Sequence, residues 1–392
     1  MPRSIRALCN PALLEWARRN AGLDTAQAAK RLGQPEERLL AWERGEELPT
    51  IVMLRKAARV YKRPLAVFYL SEVPKDFDVL RDFRRLPRHI PKDYSPELRL
   101  LVRMSRERLE SIRELREERG ETPLDFVGSM KRSEGARRVA SEARSLLGVD
   151  VEQQSSWQGN REALNGWIDA FEGLGGFVFQ SSEVALDEMR GFAIAEPIAA
   201  LIVINAKDAY AGRAFTVIHE FCHILLGEGG ISNLRLPRTV RSDEDEIEVF
   251  CNAVAAEVLV PAREFRSRFL ALCHREGPDE TIDAASRFFS VSREVIARRL
   301  LDLSLLSKSA YEERRQQYLQ DFKRSQERQT GFAPTYRVVL RNNGRAFTKL
   351  VLAGYGDQLI SARDVSGLLN VRLKHLATLE HELFPFRMVG EG

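Results

Sequence analysis

Residues 217–227 read VIHEFCHILLG, with two histidines four apart and a glutamate directly after the first. A helix advances about 100° per residue, so His219 and His223 leave the same face one turn apart. Two imidazole nitrogens so placed can meet one cation at about 2.0–2.1 Å. Glu220 is rotated off that line, poorly placed to ligate but close enough to touch a water on the ion. The competing reading is a core helix that packs two histidines against buried partners. The flanks favour a metal. Phe215, Val217, Ile218, Ile224, Leu225 and Leu226 make the helix apolar nearly all round, and three buried polar groups there are costly without a partner.

This is the H-E-x-x-H arrangement of zinc peptidases, and such a site needs a third protein ligand. The longer pattern with a third histidine fails, because position 226 is Leu and position 229 is Gly. A carboxylate on a following helix is the other answer, and SDEDEIEVFCNAVAAEVLVP (242–261) offers several. Ser242 and Asp245 suit a capping box. Asp243 to Glu246 then fall in a first turn, where the helix dipole favours acids. Glu248 differs: its face continues through Cys251, Asn252, Ala255 and Leu259, all small or apolar apart from the amide. A carboxylate on an inward face calls for a cation, so Glu248 is the expected third ligand. Glu257 lies on another face. In this scheme Glu220 is the catalytic base, while Asn252 and Asp243 either orient the histidine rings or serve the helix alone. Two histidines and a carboxylate accept Zn²⁺, and also Mn²⁺ or Fe²⁺. Cys222 and Cys251 read as small buried hydrophobes, and Cys273-His274 as surface.

The chain of 392 residues calls for more than one domain. Its 44% hydrophobic content is that of a globular protein, and a net charge of +4 does not by itself argue for nucleic acid. Residues 81–120 hold twelve Lys/Arg against eight Asp/Glu, the Arg/Glu-rich part reading as a solvated helix face. Met1 to Asn10 lacks the apolar core of a signal peptide, and the most apolar run, Ile198 to Asn205, is too short to span a bilayer. The four cysteines form no CxxC pair. These features favour a cytoplasmic protein without membrane contact.

The expected class is mainly α (α+β). Residues 1–75 read as closely spaced short helices. Asp24-Thr25 caps one that Gly33 ends, Pro35 opens the next, and GEELPT leads into another. Residues 76–150 form a helical arm after a proline- and charge-rich strap (71–97), with helices at 95–120 and 133–147. Residues 151–325 change character, with a helix from Trp157 to Leu174 and three short strands at 175–182, 190–194 and 199–205. The helix with the two histidines and the 243–259 helix follow, then helices at 262–272, 281–289, 292–303 and 310–325. Residues 330–392 form a small α+β segment. There YRVVLRNN–GRAFTKLVL suggests a hairpin about Asn342-Asn343-Gly344, with two helices after it carrying His375 and His381 on exposed faces.

Residues 191–261 resemble the ImmA/IrrE family of metallo-endopeptidases through GFAIAEPIAALIVINAKDAYAGRAFTVIHEFCHILLG and IEVFCNAVAAEVLVP. The resemblance implies His219, His223 and Glu248 as zinc ligands, Glu220 as base, and a thermolysin-like minimal core that also takes in 286–311. Residues 23–61 are similar to the XRE-type helix-turn-helix through Ala28, Leu32, Trp42, Glu43, Gly45 and Pro49. Gln34, Arg38 and Arg44 are then the residues that meet DNA or a docked protein, although Glu36 and Glu37 beside them repel phosphates.

The leading expectation is an intracellular zinc endopeptidase of narrow specificity, cutting a repressor or antitoxin-like protein in stress response or mobile-element control. The alternative is a DNA-binding regulator or antitoxin that keeps the metal core as sensor or scaffold. A toxin with the same centre is a third. The oligomeric state is not legible.

Overall fold

The computed structural model describes residues 6–73, 95–228, 230–232, 243–326 and 335–383. They divide into two compact units, at a boundary between residues 104 and 105.

The first unit is helical. Its elements are α1 (Pro11–Asn20), α2 (Thr25–Leu32), α3 (Glu36–Glu43), α4 (Ile51–Val60) and a 3-10 turn at Leu65–Tyr69. Side chains of Asn10, Asp24 and Thr50 cap α1, α2 and α4, and Asp24 with Gln27 forms a capping box. Gly33 ends α2 in the left-handed region at φ 65°. Pro35 proves to be the residue before α3 rather than its first helical position. Leu13, Leu14, Leu32, Leu39, Trp42, Leu54, Tyr61 and Phe68 are buried together. Within that core Arg18 of α1 grips both carboxylate oxygens of Glu43 on α3, at 2.7 and 2.8 Å.

The helix α5 (Pro96–Glu118) contains the boundary between the units. The strap expected at 71–97 falls mostly on 74–94, outside the described residues. The second unit continues with α6 (Ala136–Leu147), α7 (Val151–Ser156) and α8 (Asn160–Gly173). The helix expected over Trp157 to Leu174 is present as α8, which starts three residues later, and the short α7 before it was not expected. Trp157 to Gly159 separate α7 from α8, with Gly159 at φ 94° and Trp157 set edge-on to Trp167 at 5.3 Å.

A small sheet follows, made of β1 (Phe177–Ser181), β2 (Gly191–Glu196), β3 (Ala199–Asn205) and β4 (Gly230–Ser232), in the order β1-β3-β2-β4. The three expected strands are present, and the three-residue β4 joins them. β1 runs parallel to β3, in register through Phe179↔Val203, and β2 is antiparallel to both β3 and β4. β3 is buried along its whole length, as its unbroken apolar run AALIVI requires.

Against this sheet lies α9 (Tyr210–Leu225), which packs in turn on α8 and α10 (Asp243–Leu259). Phe171 and Phe221 meet edge to face at 5.4 Å, and Phe126 joins them. α11 (Ala262–Glu276), α12 (Pro278–Phe288), α13 (Arg293–Asp302) and α14 (Lys308–Gln326) complete the helical layer.

The C-terminal segment is helical, and the expected hairpin is absent from it. α15 (Thr335–Asn343) and α16 (Arg345–Gly356) meet at Gly344, whose φ of 74° turns the chain. The stretch has apolar residues at helical spacing, and Val339, Phe347, Val351 and Leu352 are buried. That stripe outweighs the Asn-Gly turn signal. α17 (Ala362–Leu369) and α18 (Leu376–Leu383) follow. His381 is exposed, whereas His375 is half-buried in a short 3-10 turn.

Candidate metal centre

The face of α9 that carries His219, Glu220 and His223 is sealed by the sheet and neighbouring helices, and every residue from Thr216 to Leu225 is buried. Their apolar neighbours are those expected of a central helix. The two imidazoles turn Nε2 toward Nε2 at 3.1 Å. Glu248 enters from α10 with Oε2 3.3 Å from His219 Nε2 and Oε1 3.2 Å from His223 Nε2.

These separations allow a test of fit to a cation. Four donors at about 2.0–2.1 Å around a tetrahedral ion stand roughly 3.3–3.4 Å apart. The two imidazole nitrogens stand 3.1 Å apart, close to one such edge, and the Glu248 carboxylate straddles them with one oxygen toward each ring, at 3.3 and 3.2 Å. The donor chemistry agrees, with two neutral imidazoles and one carboxylate. The residues present therefore fit a divalent ion. The side chain of Glu248 is 27% exposed, against 0% and 6% for the histidines, so solvent reaches the group from the carboxylate side.

Electrostatics point the same way. Burial lowers the pKa of His219, keeping the ring in the neutral form that binds metals, and Glu248 and Asn252 oppose this. Burial also pushes Glu248 upward, but the two histidines outweigh it and hold its carboxyl well below the usual range. Asn252 is half-buried on α10. Asp243 begins α10, but its side chain and all of Ser242 lie outside the described residues, as does the capping box with Asp245. Glu257 is committed elsewhere, accepting from the backbone of Ala262 and pairing with Arg299 at 3.0 Å. Cys222 and Cys251 are buried, and burial followed by its contact with Cys222 raises the Cys251 thiol. Cys273 is half-buried and His274 exposed.

One residue near Glu220 escaped the sequence reading. A methyl group at Gly191 would stand 3.2 Å from Glu220 Oε1 and 3.0 Å from the Val203 carbonyl oxygen, and would collide with Thr216 Cγ2. Gly191 opens β2, so the sheet brings it to a helix residue 29 positions later. The only local cue was a glycine at the head of an otherwise bulky strand.

In the first unit, Gln34 donates to the carbonyl of Gly33. Arg38 pairs with Glu47 at 3.0 Å, and Arg44 with Glu46 at 3.2 Å. Glu36 accepts from the Thr25 hydroxyl.

Comparison with known families agrees with this geometry. Residues 178–301, which span the sheet and the three donors, match the family model of the IrrE N-terminal-like domain, a peptidase family. Residues 14–68 match that of the helix-turn-helix. The chain joins a helix-turn-helix domain to an IrrE-like peptidase domain. No curated protein matches it. The IrrE-like domain thus contains β1 to β3, α9 and α10, and the helix-turn-helix domain contains α1 to α4. Among the described residues no helix is long and apolar enough to cross a membrane.

Proposed function

We propose that the chain is a zinc-dependent endopeptidase of narrow specificity, acting in the cytoplasm on a regulatory protein of the repressor or antitoxin kind. The observation that carries this reading is the convergence of His219, His223 and Glu248 beside Glu220. In this reading His219, His223 and Glu248 hold Zn²⁺, with Mn²⁺ or Fe²⁺ also compatible with the donor set. Bound there, the ion supplies Lewis acidity toward a peptide carbonyl and makes water a better nucleophile near neutral pH.

The remaining chemistry belongs to the chain. Glu220, one position along the helix from His219, takes the proton of the attacking water as general base. It then delivers that proton to the departing amine. Gly191 leaves the space its carboxylate occupies. Asn252 holds the His219 ring in orientation. The helix-turn-helix domain would bring the enzyme to DNA, where a repressor substrate resides. Narrow specificity is argued from setting, because an open general protease is hazardous in cytoplasm.

Replacing Glu220 by Gln tests the reading. Hydrolysis should vanish while metal content stays at one ion per chain. Comparing protein termini in cells carrying the active and Glu220→Gln forms should reveal a terminus made only by the active one. Ready digestion of unfolded casein by the zinc-loaded protein would remove the claim of narrow specificity.

A second reading, a DNA-binding regulator with the metal core as sensor or scaffold, draws support from the complete burial of Glu220. It predicts that Glu220→Gln leaves cellular behaviour unchanged.

A further inference from the structure

The helix-turn-helix domain separates its charges in an unusual way. Residues 34–47, which contain α3 and its flanks, hold Glu36, Glu37, Glu43, Glu46 and Glu47 against Arg38 and Arg44. Glu43 is buried against Arg18, and the two arginines of the stretch are tied to Glu47 and Glu46. Glu47 also takes Arg6 at 2.8 Å. The helix that a helix-turn-helix ordinarily presents to bases therefore offers an acidic surface whose cations are already engaged.

The next element is the reverse. Residues 51–63 hold Arg55, Lys56, Arg59, Lys62 and Arg63 and no carboxylate. Arg55, Arg59 and Lys62 lie at i, i+4 and i+7 along α4 and its end, and all three are exposed. Among the described residues none of the three pairs with an acid, although exposed arginines elsewhere in this domain do so. Like charges at this spacing repel and weaken the helix. Together with Arg63, Ala58, Pro64 and Leu65 they line a shallow, open surface depression. Arg63 forms its wall, with the guanidinium stacked over Trp16 at 4.6 Å. A concave surface lined by cations and free of acids focuses an attractive field for anions.

We propose that the helix-turn-helix domain engages the phosphate backbone of duplex DNA through this α4 surface, with Arg55, Arg59 and Lys62 as the contacts, and not through α3. The inference rests on the reading of this domain as a DNA-binding one. Recognition by phosphate contacts alone carries no base information, so binding is insensitive to sequence and strongly dependent on salt. A peptidase held on DNA in this way samples many bound proteins without a preferred operator of its own.

The test uses the full chain, a fluorescent mixed-sequence duplex and anisotropy titrations across a range of salt. Wild type should bind scrambled and unscrambled duplexes alike. The variant Arg55→Gln/Arg59→Gln/Lys62→Gln should lose about tenfold or more in affinity. It should also flatten the plot of log K against log salt by roughly 2–3 in slope, about 0.9 for each phosphate no longer neutralised. Exchanging the two arginines for lysine should restore binding, and unchanged thermal melting excludes loss of fold. A Gln34→Ala/Arg38→Ala/Arg44→Ala variant should stay within about threefold of wild type. Loss of binding in this α3 variant alone would overturn the inference while leaving the domain a DNA binder. Absence of binding by wild type even at low salt would remove both. Tighter binding to phosphatidylglycerol vesicles than to the duplex would also overturn it.

Discussion

Gly191 at the head of β2 faces Glu220, and a carbon added to it would press on the Glu220 carboxylate at 3.2 Å while colliding with Thr216 Cγ2. The backbone there is not in the left-handed region, so an alanine would be resisted by contact alone. Gly191→Ala should press on Thr216 and the Glu220 carboxylate. Overpacking of this kind costs about 1–3 kcal/mol of stability. On the proposed reading, the yield of the product terminus should fall by up to about 100-fold, the cost of misplacing a catalytic group by about 1 Å. Metal content, measured by mass spectrometry, should stay at wild-type level. An active Gly191→Ala protein would show that this contact does not position the base.

Glu248→Ala should weaken metal binding by more than the roughly 10–100-fold typical of residues behind the ligands. Asn252→Ala should fall within that 10–100-fold range. Competition with a zinc-sensitive dye reads both. Chelation should lower the melting temperature of wild type, since an ion at 100 times its Kd contributes about 2.7 kcal/mol. Equal melting with and without chelator would count against a bound ion in the folded chain.

Glu172 on α8 predicts a dependence on pH. Its carboxyl accepts from the backbone of Ala346 at 3.0 Å and faces Val178 N at 3.5 Å. Burial raises its pKa from 4.5 to about 7; the neighbouring Asp169 adds to the rise, while the two backbone donors and Arg345 oppose it. The folded state therefore keeps this proton between pH 4.5 and 7, where the unfolded chain has lost it. Stability from this group is complete below that window and declines as pH rises through it, by at most about 3 kcal/mol. Glu172→Gln keeps an acceptor for Ala346 and should flatten the decline. Denaturant melts at pH 5 and pH 8 on both proteins measure it, and identical pH profiles would refute the assignment.

Glu43→Ala should destabilise the helix-turn-helix domain by about 3–5 kcal/mol, because it leaves the Arg18 guanidinium buried without its carboxylate. Replacing both residues with apolar ones of similar volume should recover most of that loss. Urea melts of the single and double variants decide the point.

The cluster of His219, His223 and Glu248 was legible because a helix imposes its own geometry. The four-residue spacing of His219 and His223 needs no knowledge of the fold, and the inward face of α10 singled out Glu248 from five other acids nearby. Helix ends were legible where capping is local, as at Asp24, Gly33 and Thr50. Gly191 was hidden because its neighbour Glu220 arrives through the sheet, across 29 residues of chain. The turn at Gly344 was misjudged because Asn-Gly suits a hairpin locally, whereas burial of Val339, Phe347 and Val351 decides for helices. The pairing of Arg38 with Glu47 and of Arg44 with Glu46 likewise depends on how α3 meets the loop after it.

β1 is the outermost strand on its side of the sheet, and what lies beyond it comes from the C-terminal helices. Gly344 closes on the Val178 carbonyl oxygen, and Phe347 packs edge-on to Phe179 at 5.3 Å. These helices therefore cover that edge of the sheet. A protein cut short before residue 335 would offer raw hydrogen-bonding groups along a greasy ribbon, a template for another copy to zip onto. Such a truncation should keep the cluster of His219, His223 and Glu248 and still be lost to inclusion bodies.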